Sequence, residues 1–211
     1  MPMLTPTRRA APWILFCDID GVLIPFPSAD GSIPTTHHRD EVVPTGYNEP
    51  VSIWLNPAHG PMLADLVAAT GLKGVWCTSW RADAALLIGP RLGLLPWPHV
   101  DLPYASLNTS HPNGYLWKRD HVDAYAHQQP FAWIDDDFTS ADHEWATTRG
   151  AAGYPTLLIQ PDPYVGLRAH HGETIRRWVS SPGRRHPGSG VSTSQCATAK
   201  PAPWRPGHLG R

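Results

Sequence analysis

Asp18-Ile19-Asp20-Gly21 sets two carboxylates two residues apart at the end of an apolar run, with a glycine behind them that lets the chain turn sharply. On an extended segment, residues two apart fall on the same side. Carboxylates that close repel one another unless a cation lies between them. A hard, oxygen-seeking ion such as Mg²⁺ suits such a pair, and an acid from the run Asp135-Asp136-Asp137 completes the set. Thr78-Ser79 adds hydroxyl groups at the end of a second apolar run. Lys118 is one of only three lysines, with Lys73 and Lys200, against fourteen arginines.

Taken singly, each of these signals has an ordinary alternative. Asp-x-Asp-Gly also occurs in Asx turns and calcium loops, although an EF-hand fails here because Val22, Leu23 and Ile24 stand where oxygen ligands belong. Thr78 and Ser79 are also helix-capping residues. An aspartate triplet is also a solvated acidic turn, and a lysine on a helix is also a surface lysine. What joins them is their order along the chain and their placement at strand ends.

The elements that must hold these residues can be read from the apolar pattern. Trp13 to Cys17 is a continuous apolar run, as in a strand buried on both faces of a parallel sheet. Residues 21 to 50 are rich in Pro, Gly, His and Thr and suit a hairpin or flap, with extended pieces at Val22 to Ile24 and Val51 to Leu55. Asn56-Pro57 opens a helix that Gly71 stops. Gly74 to Cys77 is a second strand, Arg81 to Ile88 a short helix, and His99 to Leu102 a possible short strand in an irregular proline-rich stretch. Trp117 to His127 reads as an amphipathic helix and Phe131 to Ile134 as a strand ending at Asp135. Thr139 or Ser140 caps a helix through Arg149, closed by Gly150. Thr156 to Ile159 gives a last strand and Glu173 to Ser180 a last helix, with His170 and His171 just before it. Strands alternating with helices predict an α/β fold with a mainly parallel sheet, whose C-terminal strand edge is where ligands bind.

In that order the motifs resemble those of the haloacid dehalogenase (HAD) superfamily over about Trp13 to Ser180. The apolar strand with Asp18-Ile19-Asp20-Gly21-Val22-Leu23 resembles motif I, and Val75-Trp76-Cys77-Thr78 resembles motif II. Lys118 resembles motif III, and Phe131-Ala132-Trp133-Ile134-Asp135-Asp136 motif IV. The resemblance implies a Rossmann-like three-layer sandwich with the first strand central and a flap directly after it. It also implies Mg²⁺-dependent phosphoryl transfer through an aspartyl phosphate. By the same resemblance Asp18 is the nucleophile and Asp20 the general acid and base. Thr78, with Ser79 and Gly21 beside it, contacts substrate, and Lys118 neutralises phosphoryl oxygens and Asp18. Mg²⁺ is held by Asp18, Asp135, Asp136 and the backbone carbonyl of Asp20. Asp137 and Arg119, neighbours of these residues, are the competing candidates for metal and for the motif III cation.

In this superfamily inserted cap domains usually choose the substrate. Here the flap region is too short for a large independent domain, and only Arg119 to Pro130 separates motif III from the next strand. The expectation is a capless or minimally capped phosphomonoester phosphatase. A nucleotidase or nucleic-acid-end phosphatase on the same residues, and a non-catalytic phosphate-binding module of the same fold, are the alternatives. Retention of every principal motif residue weighs against the last.

Charge separates the chain into regions. Residues 10 to 173 hold all eighteen acids against eight bases, a net charge of -10, while seven bases and no acid follow Glu173. Residues 1–12 and the basic Pro/Gly/Ser-rich tail 181–211 are expected to be disordered, leaving 13–180 as the hydrolase domain. The acidic body argues against tight binding along a nucleic-acid backbone, and the basic tail weakly favours it. No apolar run approaches the roughly 18 residues of a membrane span, and no secretory signal is evident, so a cytoplasmic protein is expected. Cys17 and Cys77 lie in apolar runs and are expected to be reduced core thiols. Most of the tryptophans are expected in the core; Trp80, next to Thr78-Ser79, belongs at the mouth of the site.

Overall fold

The computed structural model describes residues 12–103 and 111–181. The expected loose ends, 1–12 and 181–211, lie outside the described residues except for positions 12 and 181, as does Cys196.

Four short strands form one parallel sheet in the order β4-β1-β5-β6, with β1 (Ile14–Cys17) central as expected. Its neighbours are β4 (Lys73–Trp76) and β5 (Phe131–Ile134), and β6 (Thr156–Ile159) lies beyond β5. The register pairs Cys17 with Trp76 on one side and Ile134 on the other, so three strands end level and deliver their next residues to one edge. Every residue of β1 and β5 is buried, because helices cover both faces.

Side chains alternate across this sheet. Leu15 and Cys17 pack on the side of α1 (His59–Thr70) and α5 (Ala169–Ser180), with Leu63, Leu66, Ile175 and Trp178. Ile14 and Phe16 face the opposite side, with Val122 and Ala126 of α3 (Arg119–Ala126) and with Phe138, just before α4 (Ser140–Ala151). The three-layer α/β sandwich is therefore present. Cys17 and Cys77 are both free and buried.

The flap follows β1 directly. β2 (His38–Val42) and β3 (Val51–Leu55) pair antiparallel from His38 with Leu55 to Val42 with Val51. Val22 to Ile24 is not an extended piece, however. The backbone N–H groups of Val22, Leu23 and Ile24 all converge on the carbonyl of Ile19, winding these apolar residues into a buried turn.

The helices differ from their expected bounds for local reasons. Asn56 accepts the Ala58 N–H on its side chain and the His59 N–H on its carbonyl, so α1 starts two residues after Pro57. The stretch expected as one helix from Arg81 is instead a π-helical turn, Ala84–Ile88, followed by α2 (Gly89–Arg91). Pro90 has no N–H to continue a regular ladder, and Gly89 donates back to Ala84. His99 makes a single bridge to Trp76 rather than a strand, set between Pro98 and Pro103. α4 runs through Gly150, its chain reversal falling to Gly153 at φ 93°. α5 begins at Ala169, so His170 and His171 lie in its first turn, and the His171 ring accepts the Arg168 N–H.

Candidate active site

Asp18 is the first residue past β1, and its N–H donates to Ile134 at 3.0 Å, so the sheet's own hydrogen bonding fixes its backbone. Asp135 continues β5 in the same way, its N–H donating to Ile159 at 3.1 Å. Two carboxylates thus emerge side by side from adjacent strands, both buried. The Lys118 ammonium donates to Asp18 Oδ2, and to Asp135 Oδ2 at 2.8 Å. Lys118 is not on the helix face but immediately before α3, and it is 5% exposed.

That position is set from elsewhere in the chain. Asp142, which closes the capping box with Thr139 at the start of α4, also accepts the Leu116 N–H at 3.0 Å. Arg119 instead stacks on Tyr115, lies 3.6 Å from Asp142 and donates to the Ala141 carbonyl at 3.3 Å. Of the two adjacent cations, Lys118 is the one brought to the aspartates.

Asp136 is the third acid. Asp18, Asp135 and Asp136 each offer an oxygen, all within 4.8 Å of one another, while Asp137 is exposed. Gly21 is what lets Asp136 come so close. It sits at φ 71°, and a Cβ there would lie 2.3 Å from the Asp136 carboxyl. An all-carboxylate set of this spacing fits a hard divalent cation such as Mg²⁺.

Asp20 is held apart from this cluster. Its carboxylate accepts from the Ser79 hydroxyl at 3.1 Å and from the Trp80 indole N–H at 3.1 Å to each oxygen. Ser79 therefore reaches Asp20 directly. Thr78 is buried two residues past β4, its hydroxyl accepting weakly from the Trp80 N–H at 3.4 Å. Trp80 was signalled only by following Thr78-Ser79; its bond to Asp20 needed the folded loop.

The electrostatics follow from burial. Burial alone would depress the Lys118 ammonium, but Asp135 and Asp18 outweigh it and hold the lysine well above its usual range. Burial and then Asp18 push the Asp20 carboxyl up, with the Trp80 and Ser79 hydrogen bonds working against them. Asp135 is raised by burial, opposed by Lys118 and reinforced by Asp18. Asp136 is pushed up to about 6, by burial first and Asp18 second. One lysine does not offset three converging carboxylates, which leaves the cluster suited to further positive charge.

A central parallel strand ending in Asp-x-Asp, a hydroxyl at the next strand end, a buried lysine and a second acidic strand end together define a HAD-like hydrolase. Residues 14–172 match the family described as the HAD domain in Swiss Army Knife RNA repair proteins, and the chain belongs to that family. No curated protein and no solved structure matches it.

Proposed function

We propose that the protein is a Mg²⁺-dependent phosphomonoester phosphatase that works through an aspartyl phosphate on Asp18, with phosphorylated RNA ends or nucleotides as substrate class. The observation that carries the reading is the division of acids: Asp18, Asp135 and Asp136 converge around Lys118, while Asp20 is held separately by Ser79 and Trp80. The substrate class is supported by the family's occurrence in RNA repair proteins.

In this mechanism an Asp18 oxygen attacks phosphorus, the bond to the leaving oxygen breaks, and that oxygen takes the Asp20 proton. The raised pKa of Asp20 favours the protonated form needed at the start. Asp20 then takes a proton from water as the water attacks phosphorus, releasing inorganic phosphate and restoring Asp18. Lys118 neutralises the nucleophile and the non-bridging oxygens, and Thr78 donates its hydroxyl to one of them. Asp18, Asp135, Asp136 and the Asp20 carbonyl would hold Mg²⁺, which when bound supplies the positive charge that lets an anionic phosphate approach a carboxylate.

The test is hydrolysis of a generic aryl phosphate by the purified protein, with Mg²⁺ and with EDTA, beside Asp18→Asn. Metal-dependent turnover that vanishes in the variant is expected. Equal turnover in EDTA, or in the variant, contradicts the proposal, and phosphate binding without turnover of any ester supports the non-catalytic alternative.

A further inference from the structure

Trp80, whose indole N–H holds Asp20, is also a wall of a pocket of about 220 Å³ lined further by Thr45, Arg81, Ala82, Asp83 and His99. We propose that this pocket is the leaving-group subsite and takes a single nucleoside, an assignment that rests on the phosphatase reading above.

Placement is the first argument. The leaving oxygen must stand at Asp20 to receive its proton, and Asp20 is gripped by the indole N–H of Trp80. The same Trp80 is a wall of the pocket, so a group attached to that oxygen has the indole within reach. Volume is the second. At about 220 Å³ the pocket is smaller than ordinary ligand sites of roughly 300–1,000 Å³, and it has room for the base of one nucleoside rather than for a run of nucleotides.

Chemistry is the third. An indole and an imidazole offer flat surfaces on which a base stacks. Arg81 is neutralised by Asp101 at 3.2 Å, and Asp83 is buried beside it, so this is not a second phosphate site. The net charge of -10 over residues 10–173 likewise disfavours recognition along a phosphate backbone.

The pocket is also a built structure. Arg81 holds a positive φ of 52°, fixed by its N–H to Thr78 at 3.1 Å and by the Asp83 N–H to Trp80 at 2.9 Å. Such a conformation costs energy and persists where its surroundings impose it, often at functional sites. Asp83 then accepts both the N–H and the hydroxyl of Thr45, at 2.7 and 2.8 Å, which brings the loop between β2 and β3 down as the pocket's outer wall. The flap thus has a task here without being a separate domain.

The test compares kcat/KM for adenosine monophosphate with that for glycerol phosphate in the full chain with Mg²⁺. Both esters leave as alkoxides that need a proton, so only the nucleoside distinguishes them. His99→Ala and Trp80→Ala are expected to lower the nucleotide-to-glycerol ratio by at least about fivefold, as lost stacking does. Trp80→Phe keeps a ring but removes the N–H, and is expected to lower kcat on both esters while largely keeping the ratio. A 5′-phosphorylated oligoribonucleotide, run beside the mononucleotide, tells whether the nucleoside comes free or from an RNA end; the same drop with either supports the subsite. Turnover of both esters with an unchanged ratio in His99→Ala and Trp80→Ala overturns the subsite alone. Absence of turnover on every ester overturns the phosphatase reading and the leaving-group assignment with it.

Discussion

The C-terminal edge of the sheet and the flap hairpin are both dense in charge, yet they treat it in opposite ways. At the edge, Asp18, Lys118 and Asp135 are almost wholly buried and hydrogen-bonded to one another. On the hairpin, Arg39 and Glu41 form a 2.7 Å pair whose side chains remain 60% and 52% exposed, and Arg91 meets Asp40 at the surface. Exposed pairs of this kind contribute little to stability, whereas burying unbalanced carboxylates costs several kcal/mol per ion unless something compensates. On the proposed mechanism the crowded buried charges serve chemistry, and the hairpin's exposed pairs do not.

Substitutions in the two regions are expected to differ as widely as their burial. Among substitutions that keep Asp18, the largest effect is expected from Asp20→Asn, which should lower kcat/KM on an alkyl phosphate by about 10²–10⁴-fold. The loss should be smaller with a nitrophenyl phosphate, whose leaving group departs without a proton; an equal loss on both esters would count against Asp20 as the acid. Next comes Lys118→Met, which leaves Asp18 and Asp135 facing each other without a cation. Turnover should fall by about 10²–10³-fold and urea stability by about 3–5 kcal/mol. A variant as stable as the wild type would mean that the buried lysine is not what compensates the carboxylates.

A smaller effect lies under the flap, where His59 is buried and bonded to the Leu167 carbonyl at 2.9 Å. Burial first, then nearby His37, depress its pKa from 6.5 to about 4, against the pull of that carbonyl. The fold therefore holds His59 neutral while the unfolded chain protonates it, so its stability contribution is full above pH 6.5 and is lost as pH falls toward 4. Between pH 7 and pH 5 this amounts to about 2 kcal/mol, read as a falling urea midpoint that His59→Gln should flatten. The smallest effect is expected from Arg39→Ala on the exposed hairpin, with no measurable change in urea midpoint or turnover. A clear loss of turnover there would show that the hairpin's surface charges contact substrate.

Sequence reached much of this arrangement because some residues report their surroundings by type. Trp13 to Cys17 could be read as doubly buried from its unbroken apolar run, and Thr139 as a cap from the chain that follows it. Asp135 and Asp136 were placed by the strand before them. Other features were hidden because tertiary partners decide them. β2 is His-Arg-Asp-Glu-Val, with four of five residues exposed, and it is a strand because β3 pairs with it rather than through its own pattern. Val22 to Ile24 has the composition of a strand, but its N–H groups turn back to Ile19. The choice of Lys118 over Arg119 rests on Asp142 and Tyr115, neither of which a helical period reveals. Trp80 was visible as a neighbour of the site, and its hold on Asp20 only in the fold.

On the proposed mechanism Asp18 carries the phosphoryl group. The most direct measurement is mass spectrometry of the protein acid-quenched during turnover, with and without hydroxylamine, beside Asp18→Asn. The expected result is a single hydroxylamine-sensitive phosphoryl group on the peptide containing Asp18, absent from the variant. Sustained turnover with no such adduct, or with the phosphoryl group on another residue, would contradict it.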